Sequence, residues 1–339
     1  MNILLCSVPY RPSIGGIETV SALLAERFER LGHRVVVVTR TPGDAEPGVV
    51  RRPSPLALLG LVRWADVVFH NNISLRFAWP LLLLARPWVV AHHTWIPVVG
   101  IAARLKRRIL PCARNVAVSR ALADSLPVPC SVLPNPYDDG LFAWLPGVPR
   151  ERELVFVGRL VSDKGVDRLL DALALLAERG LRPRLSLIGD GPEAAALRRQ
   201  AAELGLDGQV EFRGRVVGRE LVAALHAHQV LVVPSVWEEP FGLVALEALA
   251  CGCVPLVTRS GGLPEAVGAC GLVVGRDDPA ALAHGIATLL EDPSAAAALR
   301  AGARDHLARH ARDRIARDYL RILAAVRPVR AAQDDAHAG

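Results

Sequence analysis

Short apolar runs rich in β-branched residues alternate along this chain with longer stretches whose apolar residues recur every three to four positions. In the first half the runs are Asn2–Cys6, Arg34–Thr39, Asp66–Phe69, Trp88–Ala91, Val116–Val118 and Cys130–Leu133. In the second they are Leu154–Val157, Leu185–Ile188, Val210–Phe212, Val230–Val233, Val254–Val257 and Leu272–Val274. Each run is almost continuously apolar, the mark of a strand covered on both faces in a parallel sheet. Between them the helical period appears: an amphipathic stretch from about Ile17 to Arg30 closed by Gly32, then Leu243–Ala250 closed by Gly252. Pro279–Glu291 and Ala295–Val326 follow, the latter broken near His310. Strand and helix in strict alternation predict an α/β fold with doubly wound parallel sheets.

The segment Asp138 to Pro149 is rich in Pro, Gly and Asp and reads as a linker between two domains. The expected organisation is a first domain over residues 1–146 and a second over 147–312. A helix over 313–329 follows, then a disordered tail over 330–339 that is low in apolar residues. With 339 residues, of which 51 % are apolar and 22 % charged, the chain has material for two cores and is not a disordered polymer. The six cysteines form no CxxC pair, and MNILLCSVPY lacks the basic start of a signal peptide. The most apolar region, Phe77 to Ile101, is cut by Arg86, His92, His93 and three prolines. A reducing, cytoplasmic setting is expected. A net charge of +6 suits an anionic partner without choosing among nucleotide, membrane face and nucleic acid.

The most informative stretch is Val230 to Thr258, VLVVPSVWEEPFGLVALEALACGCVPLVT, a strand, a loop with Glu238 and Glu239, a helix opening after Gly242, and another strand. In such a crossover the helix N-terminus points out from the carboxyl edge of the sheet. The amides of Phe241, Gly242 and Leu243 lack helical acceptors there and favour an anion. Glu239 lies just before that terminus and Glu247 about a turn inside it, where carboxylates can accept hydroxyls on either side of a bound diphosphate. At the carboxyl end of Leu154–Val157, Gly158-Arg159 and Lys164-Gly165 bring two cations to the edge where ligands bind in such sheets. Two fixed cations answer the charge that grows on a departing diphosphate.

Glu239 and Glu247 with seven residues between, embedded in EPFGLVALEALACG, resemble the signature of the retaining GT-B glycosyltransferases of the family 4 type, glycosyl transferases group 1. A lone pair of glutamates is more often a helix-terminal acid and a solvated helix residue, but further matches surround this one. GGIE at Gly15-Gly16 resembles the family's glycine loop that lets backbone amides approach the donor phosphate. In HHT, His93 matches the family's active-site histidine better than His92. VLPNP resembles the segment that ends the first domain and places Asn135 near the donor, with Pro136 in place of the usual glycine. GDG at Gly189 resembles the turn that approaches the nucleotide base, and Gly261-Gly262 with Glu265 a following Gly-Gly turn and acid.

The resemblance implies a GT-B fold, two Rossmann-like doubly wound domains facing each other across a cleft, with the last helix crossing back onto the first domain. It implies a retaining hexosyltransferase, independent of metal, that moves a sugar from a nucleotide sugar to an acceptor hydroxyl in glycan, glycolipid or natural-product biosynthesis. In that reading His93, Glu239, Arg159 and Lys164 carry the chemistry. Gly15, Gly16, Asn135, Gly158, Arg159, Lys164, Gly189, Phe241, Gly242, Leu243 and Glu247 hold the donor. No cofactor or metal is expected beyond the nucleotide-diphosphate sugar as co-substrate, a UDP-sugar ahead of a GDP-sugar, and no nucleic acid. The expected acceptor is a glycan, a lipid-linked molecule or a small molecule.

Two alternatives come from the same features, a non-catalytic GT-B protein that binds nucleotide sugar or glycan and a sugar-nucleotide epimerase. An NAD(P) oxidoreductase is disfavoured, because no GxGxxG follows the first strand and the second ends in Thr39-Arg40. Finally, IAARLKRRIL puts Ile101, Leu105 and Ile109 at helical spacing with Arg104, Lys106, Arg107 and Arg108 around them. This basic amphipathic helix is expected either to be a solvated face or to hold the protein reversibly on an anionic inner-membrane surface.

Overall fold

The computed structural model describes residues 1–326, and the expected tail at 330–339 and the end of the expected helix at 327–329 lie outside the described residues. The chain forms two compact units, Tyr137–Arg309 and the remainder, made of Met1–Pro136 with the chain from His310 onward.

In the first unit seven parallel strands run β1 (Asn2–Cys6), β2 (Arg34–Thr39), β3 (Val49–Arg51), β4 (Val67–Asn71), β5 (Trp88–His92), β6 (Arg114–Ala117) and β7 (Cys130–Val132). Their spatial order is β3-β2-β1-β4-β5-β6-β7. The helices are α1 (Gly16–Arg30), α2 (Pro55–Trp64), α3 (Leu75–Ala78), α4 (Ile101–Ile109) and α5 (Arg120–Asp124). The strand period of two sorts the core. Leu4, Cys6, Val38, Val68 and Val90 face α2 through Leu58 and Val62. On the other face Phe69 meets Phe28 of α1 at a centroid distance of 6.2 Å and Tyr319 at 5.1 Å. The pattern reading found every strand here except β3, a half-buried edge strand of three residues in which no run can be recognised.

The second unit holds six parallel strands, β8 (Arg152–Val157), β9 (Leu185–Ile188), β10 (Val210–Gly214), β11 (His228–Val233), β12 (Val254–Thr258) and β13 (Leu272–Val274). Their order is β10-β9-β8-β11-β12-β13. Its helices are α6 (Val166–Glu178), α7 (Ala194–Glu203), α8 (Gly218–Ala227), α9 (Leu243–Ala250), α10 (Leu263–Val267), α11 (Pro279–Glu291), α12 (Pro293–Ala301) and α13 (Ala303–Ala308). Leu154, Phe156, Val230, Val232, Val254 and Leu256 bury one face of the sheet with Leu169 and Leu173 of α6 and Ile286 of α11. The long C-terminal helical pattern breaks twice, at Gly302 and around His310, before α14 (Arg312–Ala325). α14 belongs to the first unit, packing on α1 and β5, with Arg27 Nε 3.3 Å from Asp313 Oδ1.

In each sheet the strand order reverses once, between β1 and β4 and between β8 and β11. Connections on either side of such a reversal leave in opposite directions, which opens a crevice beyond the carboxyl ends of the two strands.

Candidate functional site

In the second unit the reversal point carries the charges. After β8 the chain passes Gly158 and Arg159 and makes a short turn over Ser162–Lys164 before α6. Gly165 ends that turn at φ 64°, and a methyl group added to it would lie 2.1 Å from the carbonyl oxygen of Pro234, just past β11. A glycine is therefore required for the β8 loop to close onto the β11 loop. This approach delivers Lys164, whose Nζ donates to Glu239 Oε1 at 2.5 Å. The pair is nearly enclosed, with side-chain exposures of 24 % and 11 %.

Glu239 is held from further sides. Ser235 Oγ donates to the same Oε1 at 2.7 Å, the Glu239 amide donates to Ser260 Oγ at 3.3 Å, and the amide of Gly262 donates to the Glu239 carbonyl at 2.7 Å. Sequence reasoning did not find Ser235 and Ser260; both flank the motif, at the ends of β11 and β12, and a serine there has no signature of its own. Glu238 points elsewhere, accepting from the Gly261 amide at 2.6 Å and pairing with Arg276. The turn after β9 is also a close approach: Gly189 has φ 150°, and a methyl there would stand 1.8 Å from the Gly158 carbonyl oxygen. Gly158, Gly189, Lys164 and Glu239 thus share one small region at the carboxyl edge.

Arg159 is different. Its side chain is exposed, and its guanidinium has no acceptor among the described residues. The amides of Gly242 and Leu243 at the start of α9 likewise lack a protein acceptor among the described residues. An exposed cation and free amides beside a fixed Lys–Glu pair make a place where an anion gains hydrogen bonds without displacing any.

Glu247 lies one turn into α9. Its surface is partly open, yet protein crowds its carboxyl on most sides, and this desolvation, followed by the Asp138 carboxylate nearby, pushes its pKa up to about 7. Asp138 lies in the stretch whose composition marks a linker; its effect on Glu247 depends on folding and leaves no local mark in the sequence.

The first unit brings another group together. His92 is fully buried, and its Nε2 donates to Asn115 Oδ1 at 2.9 Å, while Asn115 Nδ2 donates to the carbonyls of Leu110 and Ala113. His92 is thereby committed to the core. His93 lies just beyond β5, with its amide donating to Asn72 Oδ1 at 3.1 Å. The residue is 6 % exposed, no hydrogen bond of normal geometry reaches its ring nitrogens, and burial pushes its pKa down to about 3, with His92 acting the same way and Asn135 opposing. Asn135 is thus the neighbour of His93, and its carbonyl accepts from His310 Nδ1 at 3.3 Å. Gly15 and Gly16 open α1 at the end of the β1 loop. The Glu18 carboxylate lies over Gly15 and accepts from Ser13 Oγ at 3.0 Å. Among the described residues no cluster of three His, Cys, Asp or Glu side chains is arranged to hold a metal, and no helix is long and apolar enough to cross a membrane.

Two Rossmann-like units with charged loops at the reversal point of the second sheet define a GT-B fold. The fold is shared with Anabaena Alr3699/HepE, solved in complex with UDP, at a TM-score of 0.79 and 22 % identity over 96 % of this chain and all of that one. The family model for glycosyl transferases group 1 matches residues 146–306. The glycogen synthase of Mycobacterium tuberculosis is 30 % identical over 94 % of this chain and 91 % of its own length. The chain therefore belongs to the glycosyl transferases group 1 family. The D-inositol 3-phosphate glycosyltransferase of Corynebacterium efficiens is 43 % identical over 155 residues, a match that spans 43 % of this chain and 36 % of that protein.

Proposed function

We propose that this chain is a retaining, metal-independent glycosyltransferase that moves a hexose from a nucleoside-diphosphate sugar to an acceptor hydroxyl. The observation that carries the reading is the Lys164–Glu239 contact of 2.5 Å at the reversal point of the second sheet, beside the uncommitted Arg159 and the free amides at the start of α9. Arg159 and Lys164 hold the diphosphate and stabilise the charge that develops on it as the sugar departs, a role that a metal fills in other transferases. Glu239, fixed by Ser235 and Lys164, accepts the sugar hydroxyls with the amides of Phe241 to Leu243 alongside. Glu247 accepts the ribose hydroxyls, while Gly158 and Gly189 let the backbone come close to the nucleotide. His93, neutral in its buried seat, and Asn135 supply polar contacts from the first unit, together with Gly15 and Gly16.

Retention rests on the likeness of EPFGLVALEALACG to the family signature. A UDP-sugar is put ahead of a GDP-sugar because the Anabaena protein of the same fold was solved with UDP. A phosphorylated, lipid-linked or polysaccharide acceptor follows the Corynebacterium and Mycobacterium names and the family resemblance. We also propose that the chain works at the inner membrane face. In α4, Ala103 is buried and Ile109 half-buried, but Ile101 is 78 % and Leu105 47 % exposed, next to Val98 at 77 % and Val99 at 80 %. Exposed aliphatic residues ringed by Arg104, Lys106 and Arg108 suit the headgroup region of an anionic bilayer.

Thermal unfolding of the full chain with UDP-, GDP- and ADP-sugars, with and without a chelator, tests the reading, followed by assay of nucleotide release. One nucleotide series is expected to raise Tm, and its sugar is expected to be released or transferred with the chelator present. No shift with any nucleotide overturns the donor site. Nucleotide binding without turnover favours the binding-protein alternative, and a requirement for magnesium or manganese overturns metal independence.

A further inference from the structure

A second region of positive charge lies in the first unit, at the carboxyl ends of β2 and β3. Arg40 follows β2, Arg52 follows β3, and Arg76 stands in α3 after β4, and all three line one cavity of about 370 Å³. Its apolar wall is Leu58, Phe77 and Trp79, on the α2 face of the sheet. None of the three arginines has an acidic partner among the described residues. Arg52 Nε donates to the Arg40 carbonyl at 3.2 Å, which ties the two loops and leaves the outer edge of that guanidinium open. Arg52 also holds φ 51°, a conformation a residue with a side chain rarely adopts, and its amide donates to the Thr39 carbonyl at 2.8 Å. The neighbouring Arg51 shows the contrast: it pairs with Glu46 at 3.1 Å and donates to the carbonyls of Asp44, Arg11 and Thr41. One arginine of this corner is thus neutralised and built in, while three are left facing a hollow with aromatic walls.

We infer that the Arg40–Arg52–Arg76 cavity binds a phosphomonoester carried on an apolar or ring-bearing body, and that this is how the acceptor is anchored, the second clause resting on the transfer reading above. Three uncompensated guanidinium groups repel one another and are matched better by a phosphomonoester, which carries close to two negative charges at neutral pH, than by a single carboxylate. Planar guanidinium groups meet its oxygens two at a time. The half-buried Trp79, backed by the buried Phe77, offers the adjoining surface to the body that bears it.

The test is calorimetric titration of the full chain with phenyl phosphate, with benzyl alcohol as the uncharged comparison. Phenyl phosphate is expected to bind and benzyl alcohol not to. R159Q/K164Q, which removes the cations of the other site, is expected to bind the probe as wild type does. R40Q/R52Q/R76Q is expected to bind at least tenfold more weakly. R40Q and R76Q alone, whose side chains make no hydrogen bond that folding needs, are each expected to lose several-fold. Sedimentation with phosphatidic acid vesicles, using R104Q/K106Q/R108Q to remove the α4 contribution, separates the two sources of the phosphate. Capture that depends on Arg40, Arg52 and Arg76 without phenyl phosphate binding assigns a lipid headgroup, and phenyl phosphate binding assigns a soluble phosphoester. If neither probe responds to the three arginines, or if all binding disappears in R159Q/K164Q, the inference is wrong. The readout is binding rather than sugar transfer, so a chain that transfers nothing can pass it and a working transferase can fail it.

Discussion

Lys164 and Arg159 are proposed to serve the same diphosphate, but without ligand they stand in different surroundings, and their removal should separate stability from catalysis. Lys164 is a quarter exposed and sits 2.5 Å from a Glu239 side chain that is 11 % exposed. Lys164→Ala leaves that carboxylate with Ser235 Oγ as its remaining side-chain donor. Breaking a buried ion pair by deleting one partner costs about 3 to 5 kcal/mol, and the partial exposure of Lys164 brings the expected loss to about 2 kcal/mol. Arg159 has no partner to orphan, so Arg159→Ala should leave unfolding within about 0.5 kcal/mol of wild type. Both variants should lose about 2 to 4 kcal/mol of transition-state stabilisation, a fall of roughly 30- to 1,000-fold in kcat/KM. Urea unfolding of both variants, with a double-mutant cycle through Glu239→Gln, measures the first effect. The cycle should return a coupling of at least about 1 kcal/mol, because with a neutral amide in place of the Glu239 carboxylate no charge is stranded when Lys164 is absent. A K164A protein as stable as R159A, with no coupling to Glu239→Gln, would refute the buried pair; wild-type turnover in R159A/K164A would refute the role of both cations.

Three further outcomes follow from burial and charge. Glu247 titrates near 7 in the folded chain because burial and Asp138 oppose its charge, so between pH 4.5 and 7 the folded state holds a proton that the unfolded state lacks, and stability falls as pH rises through that window. Ribose hydroxyls favour the ionised form, so nucleotide binding near pH 7 should release a proton, seen as a buffer-dependent calorimetric heat, and Glu247→Gln should abolish it; equal heats in all buffers count against the ribose role. His70, fully buried against Trp88 at 5.3 Å between centroids, is pushed down to about 3 by burial. The unfolded chain therefore takes up a proton below about pH 6.5 that the folded one refuses, and stability should fall as pH drops, by up to about 1.4 kcal/mol per pH unit from this residue. His70→Phe should lessen that dependence, to which His93 contributes in the same sense, and an unchanged slope would show that His70 is not one of its sources. For α4, the wild-type chain should sediment with anionic but not neutral vesicles at low salt, each cation adding about 1 kcal/mol. R104Q/K106Q/R108Q should lose this while keeping Arg107, which donates to the Ile96 carbonyl at 3.2 Å and holds the preceding loop; sedimentation unchanged in that variant leaves α4 a solvated face.

Strands were legible where burial on both faces writes a run into the chain, as in RVVVVT of β2, and were not where an edge strand is short and half-buried, as in β3. The helical pattern gave α9 and α11 to the residue and a break near His310, but ran α12 and α13 together, since Gly302 interrupts the chain without interrupting the supply of good helix formers. Within the candidate site the difference is between residues proposed to meet a ligand and residues that hold them. Glu239, Glu247, Arg159 and Lys164 are proposed for chemistry that makes demands on spacing, and that spacing is visible in the sequence. Ser235, Ser260, Asn72 and Asp138 act through contacts made only once the chain has folded, or through a field across the fold, and any small polar residue at those positions looks the same in sequence.

The arginines show the same limit from the other side. The chain carries 40 basic residues, and net charge alone points to an anion without a location. In sequence Arg40, Arg51, Arg52 and Arg76 are four of many, and Arg51-Arg52 reads as one basic pair. Folding separates the pair: Arg51 turns to Glu46 and a set of carbonyls, whereas Arg52, at φ 51°, turns to the hollow that Arg40 and Arg76 also face. A charge that has found its partner stabilises the loop that carries it. Among the described residues the Arg40 and Arg76 side chains have no partner and Arg52 commits only its Nε, so three guanidinium groups lining one cavity are better matched to the proposed ligand than to stability.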